Sequence, residues 1–518
     1  MNQLNRKFLA ATLAIIVVGV VAVVVIHHFQ FNRQSDFFSQ QAKTALLAED
    51  YRGAIRLYQQ SLKMDAKNQM TLVGLAESYE RVGNFNGSYN ISQQLARLAP
   101  DDISNRVRLA RVSLQIGRFT DAISYLDALP EDDGSLEPKP GSMSAELPPL
   151  LGRTVAELKG MLGDAKLGNR DVEGAIEAYR EAVATDAASL ETYVKLAQTL
   201  TDLADLPAEG EVVVNQMVHQ FPDRGEAYIS RGRWHLSVYG DGLGMGADDS
   251  GKAEALQKAV ADSETAMKMA AASSRSDSAE DTIESQSLVA DSLEFAATVA
   301  IADKRPEDAI KWSEEGVKKF PGNGAFYRLT HSALKSLREQ AVDPDVQQSL
   351  SDRGTSILER GVERLPADAV LLWALASDYL EHDQVESARR ITDQLRSIDY
   401  ARQLVSYLDA RILAARGDVN VAAERMTKVR SDVIERPDLV RLVDLTLSDL
   451  YEEMGDTDRQ IAVLRRVIAN DPLWLPVRER LALAYLRSGR VDEAVQEYSL
   501  IANRPDVPIQ APLNYARL

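Results

Sequence analysis

The segment from Gly246 to Lys252, GADDSGK, is the nearest this chain comes to a chemical motif. Its spacing matches G-x4-G-K. A phosphate loop also needs a strand before it, Ser or Thr after the lysine, and backbone amides facing phosphate. Here Ala253 follows Lys252, Asp248 and Asp249 would repel phosphate, and the flanks have helical patterning. The same aspartates lack the alternating oxygen ligands of an EF-hand loop. The six histidines, His27, His28, His219, His235, His331 and His382, make no H-E-x-x-H and no i, i+4 pair, so no zinc-binding helix is expected. No Gly-x-Ser-x-Gly element occurs, and there is no cysteine. Disulfides, thiolate nucleophiles and thiolate metal sites are thereby removed together. No carboxylate pair stands out from the acidic helical faces for acid–base work. These residues predict no catalysis, no cofactor and no metal site.

A repeating framework is far better marked. Ala54, Ser88 and Ala122 lie 34 residues apart in succession, and Ser448, Ala482 and Ala516 keep the same step. Gly83 and Gly117 are 34 apart, as are Gly455 and Gly489. A fixed period of this length marks stacked helix–turn–helix units. In one late unit Leu447, Ser448 and Tyr451 share a helical face, Gly455-Asp456 makes the turn, and Ile461, Leu464 and Val467 form the next face. Asn470-Asp471-Pro472 then stops the second helix, because proline cannot continue one. Apolar residues at i, i+3, i+4 and i+7 make a stripe that must be buried. Small residues such as Ala482 and Ala494 let two helices approach closely. Gly489 falls where the first helix ends and a left-handed residue costs least.

These residues resemble the tetratricopeptide repeat (TPR) family. Ala54 and Tyr58; Leu75-Ala76 and Tyr79; Leu109-Ala110, Gly117 and Ala122; Ala175, Tyr179 and Ala182; Leu375-Ala376, Tyr379 and Ala388 fit its pattern, as do Ala297, Ala309 and Pro321. The resemblance implies an all-α helix–turn–helix solenoid of about twelve repeats between Ser35 and Pro505. Units around Gly210, Gly232, Gly354 and Ala410 are degenerate. It further implies that the first helix of each unit lines a groove for protein partners. The family's contact offsets fall on Ser39, Lys43, Glu77, Arg81, Arg111, Gln198, Trp373 and Arg487. Trp373, within VLLWALA, reads first as inter-repeat core. Family members that grip a chaperone's terminal carboxylate use Lys and Asn where this chain has Ser39 and Gly74, so that ligand is not expected.

The 518 residues carry a net charge of -18. That balance argues against nucleic acid, whose phosphates would be repelled, and leaves room for basic peptide segments as partners. Residues 8–26, FLAATLAIIVVGVVAVVVI, hold no charge. At about 1.5 Å per residue they reach roughly 28 Å, close to a bilayer core. A transmembrane anchor is expected there after a short tail at 1–7, with no small-x-small cleavage site behind it. Arg6 and Lys7 place the N-terminus in the cytoplasm and the repeats outside, at a bacterial inner membrane facing the periplasm. Further segments are a regular block at 35–130, a Pro/Gly/acidic linker at 131–150, an irregular block at 151–366, a regular block at 367–505, and the start of a further repeat or a cap at 506–518. The expected function is a membrane-anchored scaffold that binds proteins in its groove and performs no chemistry. The abrupt ending also suggests the regulatory or substrate-recruiting half of a longer enzyme. An anchor joined to TPR units further suggests an organelle-surface import receptor.

Overall fold

The computed structural model describes residues 17–19, 33–100, 102–127, 154–185, 188–239, 249–273, 279–398, 402–470 and 474–502. Among them the regular elements are all helical, and they follow one another in pairs. The first are α1 (33–47) with α2 (Tyr51–Met64), α3 (Gln69–Arg81) with α4 (Phe85–Leu98), α5 (Ile103–Gln115) with α6 (Phe119–Asp127), and α7 (Val155–Gly168) with α8 (Val172–Val183). Then α9 (Leu190–Gln198), extended by a π turn at Thr199–Leu203, pairs with α10 (Pro207–Gln220). The chain divides within α10 into two compact units, residues 1–217 and 218–518. In the second unit come α11 (Gly225–Tyr239) with α12 (Asp249–Ser273), α13 (Ala279–Ala302) with α14 (Pro306–Lys319), and α15 (Gly324–Gln340) with α16 (Pro344–Arg364). The last pairs are α17 (Ala369–Glu381) with α18 (Val385–Ser397), α19 (Arg402–Ala415) with α20 (Val419–Asp432), α21 (Pro437–Glu453) with α22 (Thr457–Asn470), and α23 (Leu475–Arg487) with α24 (Val491–Ala502). The described residues thus hold twelve consecutive helix pairs in a TPR-like arrangement.

The turn inside each pair explains the period. In ten pairs one residue between the two helices has positive φ. Five are glycines at 70–88°, Gly83, Gly117, Gly417, Gly455 and Gly489; five are Glu49, Arg170, Asp205, Lys304 and Asp383 at 55–64°. That conformation lets the following N–H turn back onto the first helix. Asn84 donates to the Tyr79 carbonyl at 2.8 Å and Arg490 to that of Tyr485 at 2.9 Å. At several turns the same residue caps the second helix with its side chain. Asp50 accepts from the Gly53 N–H at 2.9 Å, and Asn84 from that of Gly87 at 3.0 Å.

Small residues hold the backbones close. Ala76, Ala110, Ala376 and Ala482 on first helices, and Ala54, Ala122, Ala388 and Ala494 on second helices, are all 0 % exposed. Rings fill the space where a neighbour has no side chain. A Cβ at Gly163 would lie 2.4 Å from the Tyr179 ring, and one at Gly74 only 2.3 Å from that of Tyr58. First helices of successive pairs also touch, α5 with α7, and α11, α13, α15, α17 and α19 in sequence, so they form a row within each unit.

The apolar segment 8–26 lies outside the described residues except for 17–19, which are helical. Among the described residues no helix is long and apolar enough to cross a membrane. The 131–150 and 506–518 segments also lie outside them. Of GADDSGK, Asp249–Lys252 open α12, the rest being undescribed.

Candidate binding surface

The row of first helices carries most of the charge that meets across repeats. Lys195 of α9 bonds Asp164 of α7 at 2.9 Å, Lys335 of α15 bonds Glu381 of α17 at 2.7 Å, and Arg487 of α23 bonds Glu452 of α21 at 2.5 Å. Arg111 of α5 pairs with Glu80 of α3, and Arg480 with Asp449. Three of these pairs, Glu80–Arg111, Asp164–Lys195 and Asp449–Arg480, set the acid 31 residues before the base. That spacing is one repeat less about one helical turn, so the two side chains meet across adjacent first helices.

The residues expected to line the groove separate accordingly. Glu77, Arg81 and Arg111 come together with Glu80 and Arg108 in one cluster on α3 and α5. Ser39 is buried on α1, and Lys43 is half-buried beside it. Gln198 is exposed at the end of α9. Arg487 is half-exposed and tied to Glu452. Trp373 is partly buried against the core, its ring stacked on Tyr407 of α19 at 6.3 Å.

Within the α3–α5 cluster Glu77 is unusual. It is 2 % exposed, its Oε1 lies 3.6 Å from Arg81, and its Oε2 has no hydrogen-bond partner. Burial raises its carboxyl above the usual range, against the opposing pull of Arg108 and Arg81. Burial likewise lowers the Arg108 guanidinium, although Glu80 pulls the other way at 3.4 Å. Burial and the charge of Glu77 push the Tyr58 phenol up to about 12. The cluster thus joins a poorly satisfied acid to a crowded pair of arginines.

A second polar cluster was not legible in sequence, because His331 and His382 lie 51 residues apart. Asp378 of α17, 4 % exposed, accepts from His331 Nε2 at 2.8 Å and from the Thr355 hydroxyl at 2.6 Å. His382 Nδ1 donates to the Asp378 carbonyl at 2.8 Å, which leaves its Nε2 to accept from Ser351. Burial would raise the Asp378 carboxyl, but the bonds from His331 and Thr355 and the nearby histidines hold it below its ordinary range. Through these bonds the cluster ties α15, α16 and α17. No group of three His, Asp or Glu side chains able to hold a metal ion is found among the described residues.

Residues 445–508 match the model of the tetratricopeptide repeat family, covering the end of α21 and all of α22 to α24. No curated protein sequence matches the chain. Solved structures align at low similarity. The APC/C hetero-tetramer Cut9–Hcn1 covers 95% of this chain and 98% of its own, at 11% identity and a TM-score of 0.37. The human IFIT1 dimer with PPP-AAAA covers 84% and 91%, at 16% identity and 0.39. MamA from Desulfovibrio magneticus RS-1 covers 37% and 97%, at 16% identity and 0.30.

Proposed function

We propose that this chain is a membrane-anchored TPR scaffold, held by residues 8–26 at a bacterial inner membrane with its repeats in the periplasm. It binds partner proteins along its first-helix row and has no catalytic activity of its own. The observation that carries the reading is the row itself: helix pair follows helix pair, and within each unit first helices of successive pairs lie side by side. Repeat stacks of this kind offer extended surfaces on which a helix or peptide docks without chemistry. The exposed cation of Arg81 and amide of Gln198 offer hydrogen bonds on that surface.

In-cell crosslinking, detergent extraction, affinity capture and mass spectrometry test this, with residues 1–34 alone as the control. A stoichiometric protein captured by the full chain and absent from the control is the expected result. Equal capture by both would refute binding through the repeats. Protease digestion of sealed vesicles tests the sidedness: the repeats should be cut only from the periplasmic face.

A further inference from the structure

One turn departs from the chemistry of the others. Nine of the ten left-handed turns are followed by Asp, Asn, Gln or Arg, whereas Asp205 is followed by Leu206. Leu206 is 40 % exposed, and Leu203 just before it is 56 % exposed. The cause is local. Arg170 and Asp205 are 35 residues apart, one more than the 34 that separate Gly83 from Gly117. The π turn at Thr199–Leu203 absorbs the extra residue, with the Ala204 N–H bonded to the Thr199 carbonyl at 3.2 Å and Leu206 to Leu200 at 2.8 Å. π turns are rare and recur at functional sites.

The consequence is an open cleft of about 720 Å³ between α8 and this turn, floored by Val172, Ile176, Ala204 and Leu206. Two pairs earlier the matching place is filled. Tyr89 stands where Ile176 stands here, Arg118 lies 4.8 Å over its ring in place of Leu206, and Asp121 accepts the Tyr89 hydroxyl at 2.9 Å. The rim of the open cleft is acidic. Its one cation, Arg180, is bonded to Glu209, and Glu181 is held by Lys159 at 2.6 Å. Glu173 and Glu177 are exposed and make no ion pair among the described residues. Asp202 in the π turn and Asp205 just after it are also exposed.

We propose that this cleft is a second docking site, apart from the first-helix row, for a basic amphipathic segment of a partner protein. An apolar side chain of that segment seats between Ile176 and Leu206, and its Lys or Arg side chains meet Glu173 and Glu177. Exposed leucines gathered at one place mark an interaction surface, and the unpaired carboxylates select the sign of the partner.

Because the chain has no cysteine, Leu203→Cys gives a single position for an environment-sensitive dye on the otherwise intact full-length protein. The probe is an amphipathic helical peptide of leucine and lysine, and its comparison is the same peptide with glutamate for lysine. The lysine peptide should shift the dye and bind at least tenfold more tightly than the glutamate peptide. Anisotropy with the labelled peptide should show binding fall at least tenfold on Leu206→Glu and on the double change Glu173→Gln, Glu177→Gln. Charge-matched Glu424→Gln, Glu453→Gln in the second unit should leave it unchanged. All altered positions except the dye site are surface charges or an exposed leucine, and circular dichroism confirms folding. No binding by the lysine peptide, equal binding by the glutamate peptide, or equal losses from cleft and second-unit changes would overturn the proposal. None of these results bears on partner capture by the first-helix row.

Discussion

Asp378 and Glu77 are nearly buried carboxylates on first helices, and the protein treats them in opposite ways. Asp378 is surrounded: His331, Thr355 and the neighbouring His382 stabilise its charge, and its pKa is held low. Glu77 keeps one oxygen without a partner, and burial wins, raising its pKa. The difference separates a group that holds helices together from one that strains its surroundings. Unsatisfied buried charge lowers stability and persists in proteins where a site uses it.

Removing the satisfied acid should have the largest effect. Asp378→Ala leaves His331 and Thr355 without their acceptor and should cost about 3 kcal/mol, seen as a lower urea midpoint. A cost near zero would mean the cluster does not tie its helices. Glu77→Gln should move the other way, gaining about 1 kcal/mol at neutral pH because a charged group resisting burial is removed, while partner binding weakens. A loss of stability would show that Arg81 and Arg108 satisfy Glu77 after all.

Acidity sharpens the same contrast. Asp378 has a depressed pKa, so its contribution is present above the unfolded value of about 3.9 and is lost as pH falls through the folded pKa. Glu77 has a raised pKa, so its contribution is present below the unfolded value of about 4.3 and is lost as pH rises through the folded pKa. Stability measured against pH should therefore fall less on acidification in Asp378→Asn than in the parent. In Glu77→Gln it should fall less as pH rises from about 4 toward neutrality. Matching curves for parent and variants would remove both assignments. The smallest effect belongs to the turns. Lys304→Gly should gain about 1 kcal/mol, since a Cβ is costly at positive φ, and Gly489→Lys should lose a similar amount. Equal melting temperatures for both would show that these turns are not strained.

The turns also show how far the sequence could be read. Where the left-handed residue is glycine, as at Gly83, Gly117, Gly455 and Gly489, the period stands out. Where it is Glu49, Arg170, Asp205, Lys304 or Asp383, the same geometry has no distinctive letter. The middle of the chain hides the rhythm for a second reason. With α12 at 25 residues and α13 at 24, Asp205 and Lys304 lie 99 apart across two pairs, and with α16 at 21, Lys304 and Asp383 lie 79 apart across the next two. Trp373, within VLLWALA, is partly buried against the core rather than inside it. Glu77, Arg81 and Arg111 were marked as groove positions by the family resemblance, and the structure brings them into one cluster on α3 and α5. Arg108 and Glu80 were not so marked, although acid and base 31 residues apart form a detectable signal at three places. The burial of Ser39 and the meeting of His331 with His382 depend on how pairs stack, which no local spacing reports.

The most direct measurement of the scaffold reading places a photo-crosslinking amino acid at Arg81, on the first-helix row, and separately at exposed Arg97 on second helix α4. Irradiation of living cells should give a discrete protein adduct from position 81 and none from position 97. Equal adducts at both positions, or an adduct at 97 alone, would contradict binding along the first-helix row.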